Sequence, residues 1–188
     1  MDRKWLPLTA VLGVATAVVL AATLWPEREE KTRPPETLCF GSLSRATAAL
    51  IDDGKGGDVT ADELERPGQG DRAVFKICSM VRADAGGGPG RRVYSLTVQD
   101  ASGPPGLPKG AVPLGAGFVG WALPERAEAA LPVDCARSMG STAPYVVVDL
   151  DAPTQSEERG LVDRDTALRN SAAVVREAAT NLARTAGC

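Results

Sequence analysis

Three carboxylates in the second half of the chain, Asp134, Asp149 and Asp151, are the residues on which acid–base chemistry could be built. A carboxyl pair divides the roles of general acid and general base when a pocket keeps one member protonated, as in glycoside hydrolysis. These three sit on or beside expected strands, and carboxylates facing water at strand ends are the simpler reading. Histidine is absent, which removes the commonest general base and the commonest transition-metal ligand. Ser-His-Asp and Cys-His catalysis are therefore excluded. Neither a G-x-S-x-G elbow nor a G-K-[ST] phosphate loop is present. Arg91 and Arg92, beside a glycine-rich loop, could meet an anionic partner or simply be the solvated end of a hairpin. The four cysteines, Cys39, Cys78, Cys135 and Cys188, are an even set, and once oxidised they offer neither a thiolate nucleophile nor a zinc-thiolate site.

One stretch resembles a metal-binding motif. Residues 52–63 read Asp-Asp-Gly-Lys-Gly-Gly-Asp-Val-Thr-Ala-Asp-Glu and look like an EF-hand calcium loop. Asp52 would be the first ligand, Gly57 the turn glycine, Val59 the apolar residue, Thr60 the ninth position and Glu63 the terminal bidentate ligand, with Asp58 a further acidic candidate. Gly54 and Gly56 stand where the motif places oxygen ligands, and Pro67 stops the exit helix almost at once. A solvated glycine-rich turn after a short helix is the competing reading. No other cofactor is implied.

What must position these residues starts at the amino terminus. Between Trp5 and Trp25 the chain carries no charge and only three threonines. A helix of about 20 such residues rises roughly 30 Å, the thickness of a bilayer's hydrocarbon core. Tryptophan at each end suits the interface, and Pro7 falls in the first turn. Residues 5–25 are thus expected to be a single transmembrane signal anchor, with residues 1–4, including Arg3 and Lys4, as a cytoplasmic tail. Ala15-Thr16-Ala17 has the form a signal peptidase reads, but the apolar run continues past it, which favours an uncleaved anchor. Thr9, Gly13, Ala17 and Ala21 form a small-residue stripe through which two anchors could pack as a homodimer. All four cysteines follow the span, and an even number there reads as two disulfides in an oxidising compartment. The expected location is the cell membrane, single-pass, with the carboxyl-terminal domain outside the cytoplasm.

A formal net charge of −3 gives no basic footprint for nucleic acid. Residues 26–37, charged and punctuated by proline, read as a flexible linker that lifts a folded domain, residues 38–188, off the membrane. In that domain Ser42 or Ser44 can cap a short helix with Leu43, Ala46, Ala49 and Leu50 on one face, ended by Asp52-Asp53-Gly54. Residues 72–81 and 91–98 read as strands, the second with Tyr94, Leu96 and Val98 on one face. Residues 101–117, with prolines at 104, 105, 108 and 113, are an expected irregular connection that divides the domain into two halves. Strands are then expected at 118–123, 127–133 and 145–150. A long amphipathic helix over residues 163–186 follows, its stripe Leu168, Ala172, Val175, Ala179, Leu182 and Ala186, capped by Asp163 and ended by Gly187.

The cysteines can pair in three ways. Cys39–Cys78 with Cys135–Cys188 ties a helix end to a strand within each half; Cys39–Cys188 with Cys78–Cys135 is the alternative that closes the chain into a circle. The fold class is α+β: a transmembrane helix, then a disulfide-stapled domain whose antiparallel sheet is packed by a short amino-terminal and a long carboxyl-terminal helix.

With Cys39-Phe-Gly-Ser-Leu opening a short helix, Cys78 on a following strand, Val-Asp-Cys135, and an alanine-rich helix ending in Gly187-Cys188, the chain resembles the membrane-anchored, extracytoplasmic four-cysteine proteins of uncharacterised function in high-GC actinobacteria. The resemblance implies location and brings no catalytic residues. The expected function is a non-enzymatic binding domain at the cell envelope, in contact with the bilayer through its anchor and with an envelope protein or cell-wall partner. A carboxylate-dependent hydrolase acting on envelope material and a calcium-dependent adhesion module are the alternatives.

Overall fold

Period-two alternation through the middle of the chain and one long run of period 3.6 at its end dictate a sheet backed by a helix. The computed structural model describes residues 36–188 apart from 53, 55, 67–73, 85–87, 116 and 154–161. The expected anchor, most of the linker and the stripe Thr9, Gly13, Ala17 and Ala21 lie outside those residues. Among the described residues no helix is long and apolar enough to cross a membrane.

In chain order the elements are β1 (Thr37–Leu38), β2 (Leu43–Ser44), α1 (Arg45–Ala48), β3 (Val59–Glu65), β4 (Phe75–Arg82) and β5 (Arg91–Ala101). They continue as β6 (Val112–Gly115), β7 (Phe118–Ala122), β8 (Arg126–Ala130), α2 (Val133–Ser138), β9 (Tyr145–Asp151) and α3 (Arg164–Ala186). Seven strands form one antiparallel sheet in the order β3-β4-β5-β9-β8-β7-β6, and β1 and β2 pair separately. The class is α+β, as the sequence implies. The expected division into two halves is not found, because β5 pairs directly with β9 from Ser95–Asp151 to Ala101–Tyr145 and joins them in one sheet. Pro113 lies in β6, at the sheet's edge, where a missing N–H breaks no central ladder.

The core lies between one sheet face and α3. Tyr94, Leu96 and Val98 from β5 are buried beside Cys78 and Met80, Val148 and Leu150, and Ala127 and Ala129. α3 begins on Asp163, whose carboxylate accepts from the N–H of Thr166 at 2.9 Å, and ends on Gly187 at φ 72°. Its buried face is wider than the expected stripe, adding Ala167, Val174, Ala178 and Ala183, while Leu168 and Ala186 are only half-buried.

The short helix differs from expectation. α1 is a single turn capped by Ser44, Leu43 sits in β2, and the buried residues are Ala48 and Ile51 rather than Ala49 and Leu50. The cause is the clamp from α3. Glu177 accepts from the N–H of Ser44 at 2.6 Å and from the hydroxyl of Thr47, Asn181 donates to the carbonyl of Ser42 at 3.0 Å, and Asn170 to that of Leu50 at 2.8 Å. Fixed at three points along α3, the segment follows that helix instead of extending its own.

Cys39 is bonded to Cys78 and Cys135 to Cys188, with Cα–Cα distances of 5.1 and 5.2 Å. The second bridge joins two helix ends, since Cys135 lies in α2 and not on a strand.

Candidate functional site

Two places in the domain gather chemistry, and they are separate. The first is the sheet face turned away from the core. Continuous register across it places Trp121 opposite Glu128, Glu128 opposite Asp149, and Asp149 opposite Thr97. Directly opposed residues of an antiparallel pair have Cβ atoms about 5 Å apart. Burial pushes the Glu128 carboxyl above the ordinary carboxylate range, and the charge of Asp149 pushes it further. The indole N–H of Trp121 and the guanidinium of Arg126 act the other way, although the indole makes no hydrogen bond of normal geometry. Asp149 is also raised, by burial first; Arg126, 3.5 Å away, counters this and Asp151 adds to it.

Asp151 pairs with Arg92 at 2.9 Å, so Asp149 and Asp151 each have an arginine of their own. Asp134 is exposed in the first turn of α2, away from the row. Glu128 was not among the sequence candidates. Its only signal is a single acid within the run Arg-Ala-Glu-Ala-Ala, and its partner is set by a register that passes through α2.

The calcium candidates are not brought together as a loop of ligands. Asp52 forms an ion pair with Arg82 and also accepts from Arg82 Nε at 3.2 Å and from the N–H of Gly54 at 3.1 Å. The same guanidinium donates to the carbonyl of Gly57 at 2.8 Å. Arg82 thus supplies the positive charge that a calcium ion would supply. Thr60 and Glu63 belong to β3, paired with Val81 and Cys78, and Asp58 accepts through its carbonyl from the N–H of Ala83 at 2.8 Å. Glu63 instead accepts from the N–H of Phe40 at 2.9 Å, holding the left-handed turn of Cys39 and Phe40 at φ 55° and 60°. Among the described residues no group of three or more His, Cys, Asp or Glu could hold a metal ion.

The second place is a groove. The pairing of β7 with β8 ends at Gly120 and Ala129, so Phe118 and Val119 run on beside Ala130 and Leu131 without a ladder between them. Gly120 brings the strands close at the end of that ladder: a Cβ there would lie 2.1 Å from the carbonyl oxygen of Glu128. Past that point lies a groove of about 750 Å³ lined by Phe118, Val119, Leu131 and Val133 together with Ala179 and Ala183 of α3. That volume lies in the range of small-molecule sites, about 300 to 1,000 Å³. Val119 and Val133 are 54% and 64% exposed, unusual for valines that line a concavity. Arg184 is the single charged side chain in the lining and has no ion-pair partner among the described residues.

The chain matches no protein-family model, and no curated protein or solved structure is significantly similar to it. The geometry alone must carry the functional reading. Neither Glu128 nor Asp149 lines the groove, so the raised carboxyls and the ligand-sized space do not combine into one active site.

Proposed function

We propose that this chain is a single-pass membrane protein of the cell envelope whose disulfide-bonded domain binds another envelope component, a protein or part of the cell wall, and performs no chemistry of its own. In this reading residues 5–25 anchor the chain, residues 1–4 lie in the cytoplasm, and the stripe Thr9, Gly13, Ala17 and Ala21 offers a homodimer contact. The observation that carries the binding role is the apolar groove beside Val119 and Val133, a concavity with exposed hydrophobic walls and no acid–base pair within it. The two disulfides support an oxidising compartment.

Proximity labelling from the outer face of the membrane, on cells carrying the full chain, tests this. Envelope components should be recovered with the wild type and lost with Val119→Asp. Recovery of cytosolic proteins alone overturns the topology.

A second reading, a carboxylate-dependent hydrolase acting on envelope material, draws on Glu128 and Asp149 standing opposite each other with raised pKa values. Glu128→Gln with Asp149→Asn would then abolish turnover. For a calcium-dependent adhesion module, calcium would have to displace Arg82 from Asp52; the expected result is an unchanged melting temperature on adding calcium.

A further inference from the structure

We propose that the groove between the ends of β7 and β8 and the last turns of α3 takes the hydrocarbon chain of a long-chain fatty acid, with its carboxylate on Arg184. The inference rests on the binding role proposed above for this groove and departs from it in the ligand, a membrane amphiphile in place of a protein or cell-wall component.

Three observations carry it. The walls are almost wholly apolar: Phe118, Val119, Leu131 and Val133 on one side, Ala179 and Ala183 on the other. The groove is open to solvent rather than a closed cavity, which suits a long flexible chain better than a compact ring system. A single guanidinium, Arg184, stands in the lining and forms no ion pair among the described residues. Arg82, Arg92 and Arg126, by contrast, are ion-paired with Asp52, Asp151 and Asp149. An apolar groove bearing a guanidinium that has no ion pair among the described residues complements an amphiphile with an anionic head. A cationic head would be repelled by Arg184, and a neutral one would gain no ion pair from it.

Gly120 builds the slot. Its missing side chain lets β7 press against β8 at Glu128 and Ala129, where the β7–β8 ladder ends. Val119 and Val133 both line the groove and are each more than half exposed.

The test uses the full chain, one copy per nanodisc of zwitterionic phosphatidylcholine, with a photoreactive diazirine analogue of palmitate and mapping of the labelled peptides by mass spectrometry. Label should fall on peptides containing Val119 and Val133. Palmitate should compete about tenfold better than hexadecyltrimethylammonium, which has the same chain and the opposite charge. Val119→Asp, at an exposed position, should reduce labelling about tenfold by putting a carboxylate where the chain must lie. Arg184→Gln should erase the preference for the anion and leave chain-length dependence intact.

Should Val119→Asp lower the melting temperature, Val133→Asp serves in its place. Label confined to residues 5–25, equal competition by the two amphiphiles, undiminished labelling in both aspartate variants, or labelling that appears only with two chains per disc overturns the proposal. The last outcome would assign the groove to a contact between copies. Failure of the envelope reading is registered separately, by proximity labelling in cells, and does not alter what the nanodisc experiment reads.

Discussion

Glu128 and Asp149 stand directly opposite each other in the β8–β9 ladder, on the sheet face turned away from α3. Two partly buried carboxyls at that spacing repel when both are charged, and both are raised above their ordinary values, by burial first and then by neighbouring acids. Native protein therefore binds more protons than the unfolded chain over the interval from the ordinary carboxylate range up to the raised values. Stability is fully present below that interval and is lost as pH rises through it. We expect Glu128→Gln, which copies the protonated form, to raise the melting temperature at pH 7 by about 3 °C, the equivalent of about 1 kcal/mol. At pH 3 the gain should vanish. Thermal melts at the two pH values check this, and a variant equally destabilised at both would show that the pair does not repel.

Gly120 sets a second expectation. Its alanine variant would put a methyl carbon 2.1 Å from the Glu128 carbonyl oxygen and 2.8 Å from both Ala129 Cα and Leu114 Cδ1. Backbone on one side and a buried leucine on the other leave no cheap relief. Gly120→Ala should cost about 3 kcal/mol by urea unfolding, at the upper end of what overpacking costs. A variant as stable as wild type would mean that β7 and β8 have room to separate.

Much of this architecture is legible in the residues, and the unread parts have physical reasons. Tyr94, Leu96 and Val98 alternate because one face of β5 is buried, and α3 announces itself through Asp163, Gly187 and its apolar repeat. Strand β3 gives no such signal: Val59–Glu65 is exposed at nearly every position, and its order comes from backbone bonds to β4 rather than from a hydrophobic face. The same polar stretch imitates a calcium loop, and only the position of Arg82, 30 residues on from Asp52, shows which cation neutralises it. Leu43, Ala46, Ala49 and Leu50 have helical spacing, yet hydrogen bonds donated by Asn170 and Asn181 and one accepted by Glu177, at least 120 residues later in the chain, limit the helix to one turn. The Glu128–Asp149 pair and the groove depend on where β7, β8 and β9 stop relative to one another. Local pattern does not encode strand register across a helical connection.

The two disulfides close loops of 39 and 53 residues in sequence separation. In the chain-entropy model each removes about 4 kcal/mol of unfolded-state freedom. Their local consequences should differ. Cys135→Ser with Cys188→Ser releases the end of α3, so hydrogen exchange should accelerate over its last turns. Cys39→Ser with Cys78→Ser releases the left-handed turn and should accelerate exchange around β1 and β2. Maleimide applied to unreduced, denatured protein should tag no thiol; four tags per chain would show that neither bridge forms.

Glu177 carries the opposite pH sign from Glu128. Burial resists its ionisation, but hydrogen bonds from Thr47 and Ser44 outweigh that cost and hold its carboxyl below the ordinary range. A carboxyl depressed in the native state contributes stability that is present above its unfolded value and lost as pH falls through the folded one. Glu177→Ala leaves the N–H of Ser44 and the hydroxyl of Thr47 without their acceptor, which should cost about 2 kcal/mol at pH 7 and distinctly less at pH 3. Because the clamp holds residues 42–50 against α3, the loss should be local, with faster hydrogen exchange over β2 and α1 and unchanged protection in β5 and β9. Uniform acceleration across the sheet would instead make Glu177 part of the global core. Combined with Glu128→Gln the effects should add, since the two residues lie on opposite sides of the sheet and share no partner.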